Sequence, residues 1–459
     1  MSQLIFHNVQ YVSEGQLLEG SVLVEDDKIA ALMSVAEGEA YLKAHPETQI
    51  CQSSAAEGSL LLLPGCIDAH VHFREPGLTQ KADIASESRA AAAGGVTFVL
   101  DMPNVKPTTT TPEALAEKRR LFDEKCIVNY GLWYGITADN IEQALADYGQ
   151  PDSPHRDEIC GFKVFLGSST GGMLMNDQLK LRQLFANTQR VIGIHSESED
   201  VIRRNAEKFR ALYGDDVPVE FHPKIRDVEA CMQTTRMAVE LAVETGAQLH
   251  VCHLTTQEEL DYLTQKTRLL ADEGNTPSVE NLTAEVCVAH LWFSQEDYRT
   301  RGTRIKCNPA IKRIQDRDAL RNALSDGRIF SVATDHAPHL LADKQGGALR
   351  AASGMPSIQY SLVAMLELSR QGFLSLPQLT ELMATHPAQR FGLNGRGEIR
   401  VGNFADLVLV NPNGTTTVNK ANIQSKCGWS PFEGTTFSHQ VMGTWVNGKQ
   451  VWATPNGTV

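Results

Sequence analysis

Two histidines one residue apart close an apolar run in Pro64-Gly65-Cys66-Ile67-Asp68-Ala69-His70-Val71-His72-Phe73, and a Pro76-Gly77 turn soon follows. Side chains alternate across a strand, so His70 and His72 leave on the same side and can grip one cation. Neutral imidazole suits zinc, and a catalytic zinc site keeps a position open for water. Taken alone, the pair also reads as hydrogen-bonded groups at the rim of a sheet. Further apolar runs end on or near Lys163, His195, His253 and Asp335. Gathered at one mouth, these six groups would offer nitrogen and oxygen ligands from five strands. Lys163 is the misfit, because an ammonium inside Gly161-Phe162-Lys163-Val164-Phe165-Leu166 would repel a cation and is costly to bury unpaired. It reads either as an ion-paired lysine or as one whose pKa burial lowers, which makes an amine reactive.

The elements that must position these groups are eight apolar runs. The first ends at His70, and the others lie at 98–102, 127–132, 161–166, 191–195, 249–253, 282–288 and 329–335. Helix-like spacing over 112–125, 200–212, 227–246 and 356–372 alternates with them, while 271–281 is loop-like. Eight strands alternating with helices predict a (β/α)8 TIM-like barrel, whose site lies where the strands end. Residues 1–60 and 398–459 instead alternate apolar and polar residues in short runs broken by turns, as in Phe404-Ala405-Asp406-Leu407-Val408-Leu409-Val410. They predict one small composite β-sandwich domain built from both ends, flanking a barrel over 61–397.

The chain has 459 residues, 42% hydrophobic and 21% charged, which is ordinary for a globular protein. Its 42 basic against 55 acidic residues, a net charge of -13, argue against a nucleic-acid or anionic membrane surface. An anionic substrate would therefore need a local cluster of cations. The segment from Met1 to Asn8 lacks the features of a signal peptide, so a cytoplasmic location is expected. Nine cysteines without a C-x-x-C pair fit reduced, buried thiols better than disulfides.

The combined set resembles the amidohydrolase superfamily, and within it the dihydroorotases. The likeness is carried in order by His70-Val71-His72-Phe73-Arg74-Glu75-Pro76-Gly77, Asp101-Met102-Pro103-Asn104, the run around Lys163, Asn308-Pro309 and Thr334-Asp335-His336-Ala337-Pro338-His339. It implies a Lys163 carboxylated by carbon dioxide and bridging two zinc ions together with a hydroxide. It assigns His70, His72 and Asp335 to the first ion and His195 and His253 to the second. It further implies that Asp335 is the general acid/base. The implied reaction is reversible closure of N-carbamoyl-L-aspartate to L-dihydroorotate in pyrimidine synthesis. Arg74, Asn104 and His339 match the family's substrate-carboxylate grip, and Asn308 a contact to the ring. Arg74 could otherwise pair with Glu75 or a loop carbonyl. Thr170, in the loop 167–172, is a candidate for closing over substrate, and Ala352-Ser353-Gly354-Met355-Pro356 resembles a family loop that lines the pocket through its backbone. A homodimer is the family-level expectation. The other histidines singled out, His222, His250, His290, His336 and His386, read as structural.

The sister cyclic amidases, hydantoinase and allantoinase, share the implied metal cage. Arg74 with Asn104 favours a substrate with a free carboxylate, which an unsubstituted hydantoin lacks. A non-catalytic scaffold relative is the remaining alternative, and such relatives lose ligands that here all stand in place.

Overall fold

The computed structural model describes residues 2–52, 59–167 and 172–454, with backbone only over 277–279. Eight parallel strands follow one another in chain order: β1 (Cys66–Val71), β2 (Val96–Asp101), β3 (Asn129–Gly135), β4 (Gly161–Phe165), β5 (Ile192–His195), β6 (Leu249–Val251), β7 (Leu282–Cys287) and β8 (Ser331–Ala333). Each pairs with the next in parallel register. Strands covered on both faces read as continuous apolar runs, which is why the sequence shows no alternation here.

The ring closes between β8 and β1 through a parallel bridge from His336 to Val71 and through Asp68. The Asp68 carboxylate accepts from the Thr334 backbone at 3.1 Å and from its hydroxyl at 2.5 Å. Burial pushes the Asp68 carboxyl up to about 6 against these bonds.

Helices cover the barrel, among them Pro112–Lys125, Glu199–Tyr213, Val228–Thr245 and Ser361–Arg370. The last is shorter than its 356–372 pattern because a 3₁₀ turn, Ile358–Tyr360, precedes it. The stretch 271–281 is not the loop it resembles, since the helix Gln257–Asp272 runs into it and a short helix, Thr276–Asn281, leads into β7. Six residues are too few for an apolar period to show in the sequence.

Strands from both ends of the chain join in one continuous hydrogen-bonded sheet, the composite β domain expected from the two termini, and its halves pack on each other where Phe6 meets Trp445 with ring centres 4.8 Å apart. Its order is Lys449–Ala453, Gln440–Val446, Leu407–Asn411, Leu61–Pro64, Gln3–Ser13, Gln16–Glu25 and Lys28–Met33, with Gln49–Cys51 beside Gln3–Ser13. The sheet thus reaches residue 64, a little past the boundary at 60. Alternation decides where its side chains go. Leu61, Leu63, Val408 and Val410 enter the barrel core, while Leu60, Leu62, Leu407 and Leu409 pack with Phe6, Val22 and Trp445 on the other face. No described helix is long and apolar enough to cross a membrane.

Candidate active site

His70 and His72 stand buried at the end of β1, 2% and 7% exposed. The loop after them is held by Asp101 of β2, which accepts from the Phe73 N–H at 2.7 Å and pairs with the buried Lys118 ammonium at 2.5 Å. His70 Nδ1 meets Glu285 Oε1 at 2.6 Å, and the other oxygen of Glu285 meets His250 Nε2 at 3.2 Å. With Nδ1 held on that carboxylate, His70 turns its Nε2 toward Asp335, 3.5 Å away. His72 is oriented in the same way, Nδ1 donating to Asn104 Oδ1 at 2.6 Å and Nε2 lying 3.0 Å from Asp335 Oδ1. One ligand atom from each of His70, His72 and Asp335 lies within 4.8 Å of the others, and so does one from each of His70, Cys252 and Glu285.

Across the mouth, His195 Nε2 donates to the buried Glu197 carboxylate at 2.9 Å, and Arg226 pairs with the same carboxylate. His195 Nδ1 then faces His253 Nε2 at 3.0 Å, while His253 Nδ1 is buried without a hydrogen-bond partner. Lys163 is fully buried, and its only hydrogen bond among the described residues is to Cys252 Sγ at 3.0 Å. Its positive charge weighs on His70, His195 and His253.

Burial depresses the imidazoles, taking His72 to about 4, His195 below its ordinary value and His253 well below. His70 departs from this pattern, because Glu285 and Asp335 outweigh burial and the opposing Lys163 and raise it to about 10. Burial works to raise Asp335 too, but the facing His70 and His72 hold it at about 2. Arg74, His253 and Asp335 also adopt left-handed backbone angles, with φ of 69°, 40° and 48°. Such angles cost a non-glycine residue on the order of 1–3 kcal/mol and collect at functional sites.

This donor set fits divalent cations. Four imidazoles are aimed by carboxylates, an amide or each other, one nitrogen is orphaned, and one buried amine lacks an anion. It fits best if Lys163 bears an anionic group, since an ammonium there adds positive charge where a cation would sit.

Beside these groups is a wall of cations. Arg74, 2% exposed, donates from Nε to the Pro338 carbonyl at 3.0 Å, so the loop-carbonyl alternative holds for that nitrogen. Its Nη2 lies 3.0 Å from His339 Nε2, and Lys81 Nζ lies 3.1 Å from His339 Nδ1. Glu75 is turned away onto Lys125. Neither Arg74 nor Lys81 has a carboxylate partner among the described residues. Burial takes Arg74 down to about 10, and burial together with Arg74 and Lys81 drives His339 far below its ordinary value, leaving it neutral. Asn308 keeps a buried, unpartnered Oδ1.

One cavity of about 430 Å³ gathers every described candidate except Lys163, which is packed behind it. Thr170 lies outside the described residues. The histidines read as structural are hydrogen-bonded, for example His336 to Glu87 at 2.7 Å and His386 to the Phe330 carbonyl at 2.7 Å. Sequence reasoning missed Glu285, Glu197, Cys252 and Lys81. Glu285 carried the same signal as Lys163, a charge inside an apolar strand, and Glu197 falls two residues beyond His195, on the same side.

The Amidohydrolase family model matches residues 61–451. A dihydroorotase of Halobacterium salinarum is 32% identical over 449 residues, covering 97% of this chain and 96% of that protein. An allantoinase of Solibacter usitatus is 30% identical over 463 residues, covering 98% and 94%. Among solved structures, the L-hydantoinase (dihydropyrimidinase) of Arthrobacter aurescens superposes with a TM-score of 0.87 at 25% identity, covering 100% of this chain and 98% of that one.

Proposed function

Since the chain belongs to the amidohydrolase family, a family here joined by cyclic-amide hydrolases, we propose that it is a dihydroorotase, interconverting N-carbamoyl-L-aspartate and L-dihydroorotate in pyrimidine synthesis. The observation that carries this choice of substrate is the Arg74–His339–Lys81 wall, two cations flanking one neutral imidazole with no carboxylate paired to either among the described residues. Substrate and product are both carboxylates, and a guanidinium prefers to grip that group in a fork.

His70, His72, His195, His253 and Asp335 would hold two zinc ions, with Lys163, carboxylated, between them. Bound there, the pair would supply Lewis-acid polarisation of the ring carbonyl and a water acidified toward neutral pH. The rest is work for the chain. Asp335 takes the proton of the attacking water and returns it to the departing amide nitrogen, so one carboxylate serves both directions. Arg74 and His339 orient the substrate carboxylate, while Asn104 fixes the His72 ring and Asn308 offers an acceptor to a ring N–H. Glu285 and Glu197 hold two imidazoles in the tautomers that leave the facing nitrogens bare.

The similarity to an allantoinase and a hydantoinase sets the competing substrates. Zinc-loaded enzyme offered dihydroorotate, allantoin and hydantoin side by side is expected to show a kcat/KM for dihydroorotate at least about tenfold above the others. Preference for either rival overturns the assignment. Arg74→Lys, which keeps the charge but loses the fork, is expected to cost dihydroorotate turnover about tenfold or more in kcat/KM.

A further inference from the structure

Lys344 ends the 3₁₀ turn Leu341–Lys344 and is 1% exposed. Its ammonium donates to three backbone carbonyls, those of Lys306 at 2.9 Å, Ala352 at 2.8 Å and Gly354 at 2.7 Å. No carboxylate pairs with it among the described residues. Burial, with Lys306 and Arg74 adding to it, lowers this amine to about 7, but three carbonyls on one nitrogen call for three N–H donors, which the ammonium has and the neutral amine lacks, so the carbonyl dipoles favour the charged form.

Those carbonyls belong to the walls of the active-site cavity. Ala352, Ser353 and Gly354 line it, and so does Lys306, two residues before Asn308. The two walls are joined again by the Gly354 N–H on the Lys306 carbonyl at 2.9 Å. The ammonium also lies 5.7 Å from the centre of the Trp429 ring, whose N–H holds the His339 carbonyl at 2.7 Å. Three cavity-facing segments thus meet around a single positive charge.

We infer that Lys344 is a positioning residue, an internal cation around which the backbone of 352–354, the Asn308 segment and the His339 carbonyl are arranged to receive substrate. Like a bound monovalent ion it orders oxygen atoms from separate parts of the chain, and it does so without touching substrate. The inference rests on the reading that this cavity takes a cyclic amide, but it does not depend on which one.

The test measures steady-state turnover, metal content and melting temperature for Lys344→Ala and Lys344→Gln enzymes. The substrate is whichever of dihydroorotate, allantoin and hydantoin the parent turns over best. Lys344→Ala is expected to raise KM about tenfold or more, with metal content unchanged and kcat within about threefold. Lys344→Gln, which keeps two N–H donors without the charge, falls between it and the parent. Propylammonium chloride is expected to restore most of the Lys344→Ala loss, where choline chloride at equal strength does not. Should the alanine variant fail to fold, the glutamine variant decides by its KM. An unchanged KM in an active variant overturns the inference, as does a loss of kcat and metal in step with the loss of folded protein. A parent inactive on all three substrates overturns the reading beneath it instead.

Discussion

At the residue scale the decisive group is Lys163, legible in the sequence because an ammonium has no business inside a strand of Gly, Phe, Val and Leu. The fold sharpens the puzzle by giving it a thiol as its only hydrogen-bond partner among the described residues. If it serves as an anionic bridge, Lys163→Met should leave a folded protein with under half the parent's zinc. Its activity should be down by about three orders of magnitude or more, as when a metal-activated water is lost. Full zinc content in that variant would defeat the bridging role. Glu285 makes a second prediction. Its two oxygens take His70 Nδ1 and His250 Nε2, at 2.6 and 3.2 Å, so Glu285→Gln forces one ring to lose its acceptor. Chelator competition is expected to show zinc affinity about 10–100-fold weaker, the usual cost of removing a partner behind a ligand. These carboxylates went unread because a lone acid in a strand has many explanations until its histidine partners, far off in sequence, are seen beside it.

At the element scale, what could be read depended on whether the stop signals are local. The pattern over 227–246 matches the helix Val228–Thr245 because both ends are chemically marked. Asp227 accepts from the Ala230 N–H at 3.0 Å, and Gly246 takes a left-handed φ of 73° past the last turn. Asp227→Ala is accordingly expected to cost about 1 kcal/mol in urea unfolding. The strands were legible by content but not by pairing. Leu407 meets Pro64 and Val408 meets Leu63 across most of the chain, and no local rule announces such a register. The strand order of the flanking sheet therefore had to come from the structure, although the alternation that sends Val408 one way and Leu409 the other was there to be read. The short helix Thr276–Asn281 was lost for the opposite reason, having too few residues to show a period.

At the scale of the whole molecule, the C-terminal segment is tied back onto the barrel by buried polar clasps, and one of them titrates. Glu367, on the helix Ser361–Arg370, accepts from the Ser438 hydroxyl at 2.6 Å and from its backbone N–H at 3.3 Å, while Arg370 donates to its other oxygen at 2.6 Å. Burial by itself would raise this carboxyl, but Arg370 and Ser438 outweigh it and hold it at about 2. A carboxylate whose folded pKa lies below its unfolded one binds fewer protons when folded. Its stabilisation is therefore complete above the unfolded value near 4.3 and is lost as pH falls toward 2. Glu367→Gln should cost about 1–2 kcal/mol at pH 7, the worth of hydrogen bonds to a charged group. The gap between parent and variant, followed by urea unfolding at successive pH values, should stay level from pH 8 to 5 and narrow below that. A gap that stayed level or widened down to pH 3 would show that the clasp does not depend on the carboxylate's charge. Any bound divalent metal should be removed from both proteins before the series is run, because protonation of imidazole ligands in acid would release it and add its own pH dependence to the comparison.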